Sequence, residues 1–242
     1  MLFTHLATHL AGISRGLARM GAAVPSRCAV CHAWPARPVC DACRMQFAPP
    51  LSRCATCARL LPHGVAQCGD CLRHPPPLDA CVAAVSYAFP WADLLAQFKF
   101  HAEPGWAGAL AQLMARAPGA QAALAQADLV VPVPLSPERL RQRGYNQALL
   151  LARALGHPQV HARMLLRVRD TEAQSHLARA ERLRNLRGAF VPDPLRAAQL
   201  AGKRVLLVDD VMTTGATLHA AAAPLRDAGA LQVCALVLAR TP

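Results

Sequence analysis

Residues 205–218 have the sequence Val205-Leu206-Leu207-Val208-Asp209-Asp210-Val211-Met212-Thr213-Thr214-Gly215-Ala216-Thr217-Leu218. The apolar run at residues 205–208 is typical of a strand buried on both faces of a parallel sheet. The adjacent acids Asp209 and Asp210 then stand at the carboxyl end of that strand, where open α/β sheets bind their ligands. Residues 213–217, called the threonine loop below, bring three hydroxyls and one glycine to the start of a helix. The pattern predicts a strand, a ligand-binding turn and a helix.

The acid pair and the threonine loop suit different parts of one ligand. Consecutive backbone N–H groups at a helix amino terminus bind a terminal phosphate, and Gly215 allows the backbone to approach it closely. Carboxylates accept hydrogen bonds from sugar hydroxyls, and we expect the chain to turn here so that both acids reach one diol. The segment resembles the 5-phosphoribosyl-1-pyrophosphate (PRPP) motif of type I phosphoribosyltransferases in all of these parts. The alternative is an ordinary strand–turn–helix link in which Asp and Thr cap the helix.

The composition indicates a protein with a substantial core and no membrane span. The chain has 242 residues, of which 54% are hydrophobic, enough for one medium domain and a small one. No run approaches the roughly 20 apolar residues that a transmembrane helix needs. The first 24 residues are mildly apolar but contain His and Arg, which predicts a lead-in helix rather than a secretory signal.

Positive charge is concentrated in one part of the chain. The formal net charge is +12, and 24 of the 26 basic residues are arginine. Between Ser136 and Phe190 there are eleven arginines and four acidic residues. Such a basic band favours a polyphosphate partner, either a small ligand or nucleic acid; the alternative is a solvated helix face.

Eight of the ten cysteines form four C-x-x-C pairs: Cys28/Cys31, Cys40/Cys43, Cys54/Cys57 and Cys68/Cys71. Each pair places two thiolates on one side of a tight turn, which suits two corners of a zinc tetrahedron. The motif Ser-Arg-Cys-x-x-Cys occurs at residue 26 and again at residue 52, each time followed by a second pair. This repeat predicts two sequential sites, a first cluster (Cys28, Cys31, Cys40, Cys43) and a second cluster (Cys54, Cys57, Cys68, Cys71).

A cross-braced pairing, first pair with third and second with fourth, remains open at this point. A disulfide framework is not expected, because the chain has no export signal and its large domain has a cytosolic character. Four thiolates close the coordination shell, so the zinc is expected to be structural.

We expect three parts in chain order: a lead-in helix at residues 1–24, a double C-x-x-C zinc-binding module at 25–77, and an α/β domain at 78–242. The Pro-rich segment at residues 74–77 is the expected linker. In the α/β domain, strands are predicted at residues 81–87, 128–134, 205–208 and 231–238. The fold class is therefore a type I phosphoribosyltransferase-like parallel sheet flanked by helices, preceded by a small zinc module.

Further basic candidates precede the strand at residue 205. Lys99 ends a helix in a chain with only one other lysine, although a lysine there also complements the helix dipole. Gly144 is expected to break the helical geometry so that Arg143 and Asn146 point into a cleft. Residues 167–182 form a polar segment that we predict to be a mobile loop over a ligand, or else a plain surface loop.

The whole set of motifs is similar to that of the competence protein F family. The set comprises the cysteine module, Val-Pro-Val-Pro-Leu-Ser, Arg-x-Arg-Gly-Tyr-Asn-Gln-Ala, Thr-x-x-Gln-x-x-Leu, Arg-x-x-Asn and the PRPP motif. The resemblance extends from about Cys28 to near the end of the chain. It implies a cytoplasmic bacterial protein needed for DNA uptake in natural transformation, beside an ATP-dependent DNA translocase that is a separate chain.

The resemblance to phosphoribosyltransferases also implies roles for individual residues. Asp209 and Asp210 would hold the ribose and orient Mg²⁺, while Thr213, Thr214, Gly215, Ala216 and Thr217 would hold the 5-phosphate. Pro134 and Arg143 would meet the pyrophosphate, and Lys99 and Arg182 would cover it. No feature indicates the acceptor. The expectation is thus a protein that binds PRPP or a ribose phosphate with Mg²⁺ and supports uptake of single-stranded DNA; the alternative is a non-catalytic DNA-binding adaptor.

Overall fold

The structure, a computed structural model, describes residues 26–169, 186 and 188–242. It forms two compact units that divide between Gln46 and Phe47. The division differs from the predicted boundary at residue 77, because the second cysteine cluster packs in the hydrophobic core of the larger unit. The predicted lead-in helix lies outside the described residues.

The smaller unit contains the first cysteine cluster and most of helix α1 (Asp41–Phe47). Its chain is closed by a backbone pair between Ser26 and Ala36, in which each N–H donates to the other carbonyl at 2.7 Å. Among its described residues, 26–46, the buried apolar side chains are those of Cys28 and Cys43, so a bound metal would supply much of the folding energy of this segment.

The larger unit is an α/β structure built on a four-stranded parallel sheet with strand order β1-β6-β5-β2. A short antiparallel pair of strands, β3 and β4, lies outside that sheet. The elements in chain order are α2 (Gly69–Arg73), β1 (Ala80–Ser86), α3 (Trp91–Phe100), α4 (Trp106–Arg116), α5 (Ala120–Gln126), β2 (Leu129–Pro132), α6 (Pro137–Arg143), α7 (Gln147–Ala154), β3 (Leu165–Arg167), β4 (Phe190–Pro192), a 3₁₀ helix (Ala197–Leu200), β5 (Arg204–Met212), α8 (Ala216–Asp227) and β6 (Gln232–Arg240). The predicted fold class is confirmed.

Apolar periodicity explains how the helices pack. Helix α3 has apolar residues at i, i+3, i+4 and i+7, and these four residues, Trp91, Leu94, Leu95 and Phe98, are all buried. Helix α7 packs against α4 and against strand β5. Helix α8 packs against β4, β5 and β6, and its buried face includes Leu218, Ala221 and Leu225. Among the described helices, none combines the length and apolarity that crossing a bilayer would need.

Strand β5 is longer than predicted, and this changes where the acids lie. It continues to Met212 because it pairs with β6 over its whole length, whereas β2 stops opposite Val208. Asp209 and Asp210 therefore belong to the strand itself, and the predicted turn at these residues is wrong. In the register of the described strands, β2 pairs with β5 only as far as Val208, so both acids lie beyond β2 at the carboxyl end of the sheet.

Candidate functional site

The two acids face opposite sides of the sheet, because successive side chains alternate along a strand. Asp210 is buried, and its Oδ1 lies 2.8 Å from Nζ of Lys99 at the end of α3. Both side chains are largely covered, at 15% exposure for Lys99 and 11% for Asp210. An ion pair this far removed from water holds its geometry better than a surface pair. The structure thus joins two residues that the sequence placed 111 positions apart.

Asp209 has a different environment from Asp210. Burial and the neighbouring Asp210 carboxylate raise the pKa of Asp209 to about 7, against weaker opposing effects from Lys99 and Arg167. Its Oδ1 accepts a hydrogen bond from the backbone N–H of Asp210 at 2.9 Å. A carboxyl group with a pKa near 7 ionises readily when a bound cation or a ligand hydroxyl stabilises its charged form. The carboxylate can then accept hydrogen bonds from the ligand.

The threonine loop connects β5 to helix α8 in the way that a phosphate cradle requires. Gly215 has φ +83° and caps the helix. The positive φ favours glycine, and a Cβ at this position would lie 2.7 Å from Cε of Met212 and 2.9 Å from Nε2 of His219, so both side chains would have to shift. The backbone N–H of Ala216 donates to Oγ1 of Thr214 at 3.3 Å, while Thr213 is exposed. The loop thus places the exposed Thr213 and the half-buried Thr214 and Thr217 beside the first amides of a twelve-residue helix.

The chain after β2 reaches the same end of the sheet. Val133 donates its N–H to the Val208 carbonyl at 2.9 Å, which fixes Pro134 beside the part of β5 that precedes the acids. Arg143 donates to Oε1 of Gln147 at 3.1 Å, and its guanidinium lies 5.3 Å from the ring centroid of Phe100. Phe100 is the last residue of helix α3 and directly follows Lys99, so Arg143 packs on the end of that helix.

Asn146 and Tyr145 both hydrogen-bond to the backbone of neighbouring elements. Asn146 caps helix α7 by accepting from the N–H of Leu149 and donates its own amide to the Val133 carbonyl at 3.0 Å. Tyr145 donates its hydroxyl to the Phe98 carbonyl. The prediction that Asn146 points into a cleft is therefore wrong. Gly144 does end α6 in the left-handed conformation, with φ +77°.

One part of the predicted site lies outside the described residues. Arg182 and most of the predicted mobile loop at residues 167–182 lie outside the described residues; Arg167 and Arg169 are described, and Arg167 belongs to β3.

A groove of about 650 Å³ lies at the opposite end of the sheet, lined in part by Asp128, His157 and His161. We place no function in it, because Asp128 is engaged by Arg204.

The eight knuckle cysteines form two clusters with the geometry of zinc sites. In each cluster the four Sγ atoms lie within 4.8 Å of one another, grouped as Cys28, Cys31, Cys40, Cys43 and as Cys54, Cys57, Cys68, Cys71. Individual Sγ–Sγ distances are 3.7 Å for Cys31–Cys40 and for Cys57–Cys68, and 3.9 Å for Cys28–Cys43. Zn–S bonds of about 2.3 Å produce a tetrahedron with edges of about 3.8 Å. The grouping is the sequential one, not the cross-braced one.

Backbone amides support a thiolate in each cluster. The N–H of Cys40 donates to Sγ of Cys28 at 3.4 Å, and that of Cys68 donates to Sγ of Cys54 at 3.3 Å. Against the opposing effect of burial, such bonds lower the pKa of Cys28 to about 6 and that of Cys54 to about 7. Thiolates held in this way are the form that binds zinc.

The clusters differ in burial. Cys31 is exposed and Cys40 half-buried in the first cluster, whereas all four cysteines of the second are buried. The second cluster also contacts Arg240, a residue that sequence reasoning missed; its one signal was a charged residue ending an apolar strand. Arg240 is only 4% exposed, and its Nε donates to the Cys57 carbonyl at 3.0 Å.

Comparisons with known proteins agree with this architecture. The family described as "Phosphoribosyl transferase domain" matches residues 151–242. The chain is 34% identical over 212 residues to "DNA utilization protein YhgH" from Salmonella typhimurium, covering 84% of this chain and 90% of that relative. It is 32% identical over 209 residues to "Competence protein F" from Haemophilus influenzae, again covering 84% and 90%. Over 114 residues it is 41% identical to "Competence protein ComFC" from Bacillus subtilis, covering 47% of this chain and 45% of that relative.

Proposed function

The chain belongs to the competence protein F family, and from this premise we propose that it binds PRPP, or another ribose phosphate, together with Mg²⁺ and supports uptake of single-stranded DNA in natural competence. The observation that carries the proposal is the joint location of the threonine loop and the two acids at the carboxyl end of strand β5. The names of the relatives supply the context of competence and DNA use.

Each part of the ligand has a complementary group in this arrangement. The amides and hydroxyls of the threonine loop would hold the 5-phosphate. Asp209 would accept hydrogen bonds from the ribose hydroxyls. Lys99, held by Asp210 at 2.8 Å, and Arg143, stacked on Phe100, would lie near the pyrophosphate. Pro134 lies in the segment that follows β2 and would meet the pyrophosphate. We propose that Arg182 covers the bound ligand.

A transferase reaction would use these charges directly. The bond from ribose C1 to the pyrophosphate oxygen would break, a bond from C1 to an acceptor would form, and negative charge would pass to the departing pyrophosphate. Lys99 and Arg143 offer fixed positive charge for that departure. Bound Mg²⁺ would supply further neutralisation, largely through water on the protein side.

Pyrophosphate release separates turnover from simple binding. The assay combines the protein, PRPP and Mg²⁺ with a panel of nucleobases, amines and single-stranded DNA. Release above the buffer rate that disappears in Asp210→Asn supports a transferase. PRPP binding without release across the panel supports a binding protein, and an absence of PRPP binding contradicts both.

PRPP affinity should rise with pH because of Asp209. Its pKa of about 7 in the free protein means that a proton must leave before the carboxylate can accept from ribose. Below pH 7 the affinity should therefore fall by up to about tenfold per pH unit relative to Asp209→Asn. Calorimetric titrations at pH 5.5, 6.5, 7.5 and 8.5 measure this ratio. The asparagine variant corrects for protonation of the ligand's own phosphates, and a ratio constant with pH would exclude the role of Asp209.

The second candidate function, binding of single-stranded DNA without turnover, is favoured by Phe100. Its ring is 68% exposed and has a guanidinium near it. Exposed aromatic rings with adjacent arginines stack nucleobases and contact the phosphate backbone. This function is compatible with PRPP binding, since the phosphates of a DNA segment could contact Lys99 and Arg143, which we assign to the pyrophosphate.

Phe100→Ala should weaken binding of an oligothymidylate about tenfold, since stacking contributes about 1–3 kcal/mol per base. Arg143→Gln should instead reduce the salt dependence of binding by about one phosphate contact. Fluorescence anisotropy at 50, 100 and 200 mM salt measures both effects. The matched control is Phe89→Ala, a phenylalanine 64% exposed at the other end of α3, whose ring packs against Phe47. Equal losses in the two phenylalanine variants would contradict the assignment.

The remaining components of the proposal concern metal, location and partner. We propose structural zinc in both cysteine clusters, which fit it by distance and by donor type. We also propose that the protein acts in the bacterial cytoplasm beside an ATP-dependent DNA-uptake translocase. The arginines between residues 139 and 187 would then contact the incoming strand.

A further inference from the structure

Arg240 connects the second cysteine cluster to the end of strand β5. It is the last residue of β6, and it is 4% exposed. Its Nε donates to the carbonyl of Cys57 at 3.0 Å, and Nη1 donates to the carbonyl of Met212 at 3.3 Å. Nη1 also donates to the carbonyl of the following residue, Thr241. One planar guanidinium therefore joins a zinc knuckle to the residue that precedes the threonine loop.

Met212 in turn lies directly beneath the threonine loop. A Cβ on Gly215 would lie 2.7 Å from Cε of Met212, so the methionine side chain supports the glycine from below. Sγ of Cys81, on the neighbouring part of the core, lies 3.6 Å from Sδ of Met212. The Met212 carbonyl also accepts from the N–H of Thr241 at 3.1 Å. The position of the loop is thus set by the groups that hold Met212.

The same knuckle is bound to the sheet at a second point. The Ala55 carbonyl, between Cys54 and Cys57, accepts from the N–H of Cys81 on β1 at 2.8 Å. The turn formed by the first two ligands of the second cluster consequently has carbonyls bonded to both β1 and β6. If the metal is lost, the turn loses its fixed shape. The carbonyls of Ala55 and Cys57 then no longer hold Cys81 and Arg240 in place.

The charge on this side of the cluster is consistent with a bound metal. Arg53 donates to the Ala58 carbonyl at 3.1 Å and to Oγ of Ser86 at 2.9 Å. Burial and the charge of Arg240 lower the pKa of Arg53, so two guanidiniums lie near one another. Four thiolates around Zn²⁺ carry a net charge of about −2, which offsets the charges of the buried Arg240 and the half-buried Arg53.

We propose that the second cysteine cluster, through Arg240 and Met212, positions the threonine loop for its ligand. Arg240 is then a positioning residue, which contacts no ligand but fixes the backbone from which the loop starts. The part of this inference that concerns ligand affinity rests on the proposed function. The part that concerns loop order stands on the contacts alone.

Hydrogen exchange of the 209–218 segment, read by mass spectrometry, tests the coupling without any ligand. In Arg240→Gln we expect exchange of this segment to accelerate at least tenfold, with zinc content unchanged at two per chain. Arg240→Lys, which keeps the charge but not the forked geometry, should give a smaller acceleration. It replaces Arg240→Gln in the test if the glutamine variant does not fold. Arg204→Gln is the control, since Arg204 pairs with Asp128 at the other end of β5 and should leave the segment unchanged.

Ligand affinity provides the second measurement. PRPP affinity should fall about tenfold in Arg240→Gln or Arg240→Lys and stay constant in Arg204→Gln. Wild-type exchange of the 209–218 segment in a folded Arg240 variant would overturn the coupling. Acceleration in Arg204→Gln as large as in Arg240→Gln would also overturn it. A wild-type protein that binds no PRPP would overturn the proposed function only, because the exchange result still decides whether the cluster positions the loop.

Discussion

Replacing Cys54 and Cys68 together with serine should unfold the larger unit, whereas the matched replacement of Cys28 and Cys40 should leave it folded. The second cluster belongs to the hydrophobic core, where Cys54 has no exposed surface and Cys68 is 5% exposed. A structural zinc site contributes about 10 kcal/mol or more to folding, which matches or exceeds the roughly 5–15 kcal/mol net stability of a domain. Loss of the site is therefore expected to eliminate the cooperative unfolding transition of the larger unit.

Thermal unfolding by circular dichroism and zinc content by elemental analysis measure the two effects. Wild type should contain two zinc ions per chain. The Cys28→Ser/Cys40→Ser variant should contain one and retain the main transition, because the first cluster lies in a separate compact unit. A folded Cys54→Ser/Cys68→Ser variant with an unchanged transition, or equal damage from the two double replacements, would contradict the assignment of the second cluster to the core.

Asp209→Asn/Asp210→Asn should lower PRPP affinity by more than about 100-fold. The change removes two carboxylates, and each hydrogen bond to a charged group contributes about 1.5–3 kcal/mol. It also releases Lys99 from the ion pair that holds it at 2.8 Å from Asp210. The asparagine at position 209 itself should not destabilise the fold, because that carboxyl has a raised pKa and is costly to ionise.

The matched control is Asp128→Asn. Asp128 is an acid at the amino end of the sheet, paired with Arg204 through bonds of 2.8 to 3.2 Å. The same chemical change there should leave PRPP affinity within about twofold of wild type. Isothermal titration calorimetry measures all three proteins, and retention of affinity in the double variant would remove the acids from the site.

Local signals in the sequence predicted much of the fold. Ser136 followed by Pro137 is typical of a helix start, and the Ser136 hydroxyl accepts from the N–H of Arg139 in the first turn of α6. Gly156 is typical of the residue that follows a helix, and it has φ +76°. Repetition of one motif predicted two sequential cysteine clusters, and this is the grouping found. Each of these features depends on residues within one or two turns of one another, or on a repeat visible in the sequence.

Features that depend on distant pairing could not be predicted in this way. The apolar run stops at Val208, yet the strand continues because Asp209 pairs with Val237 and Met212 with Arg240 on β6. Arg240 contacts Cys57 across 183 positions of sequence, and no local pattern announces that contact. For the same reason the second cluster was assigned to a small module, although its cysteines pack against strands formed much later in the chain.

The sequence therefore predicted individual candidate residues of the site but not the contacts between them. Asp210 and Lys99 were both candidates, but their ion pair depends on how α3 packs on the sheet. Phe100 was not among the candidates, and it is 68% exposed with the Arg143 guanidinium over its ring. The sequence indicates the ligand-binding groups, and the packing determines which of them act together.

The central claim, that the carboxyl end of β5 and the threonine loop hold a ribose phosphate with Mg²⁺, is tested most directly by calorimetric titration of PRPP into the wild-type protein with and without Mg²⁺. The account predicts saturable binding of one PRPP per chain that weakens at least tenfold when Mg²⁺ is removed by chelation. Ribose 5-phosphate should compete for the same site. Absence of PRPP binding in the presence of Mg²⁺, by a protein shown to be folded and to contain two zinc ions, would contradict it.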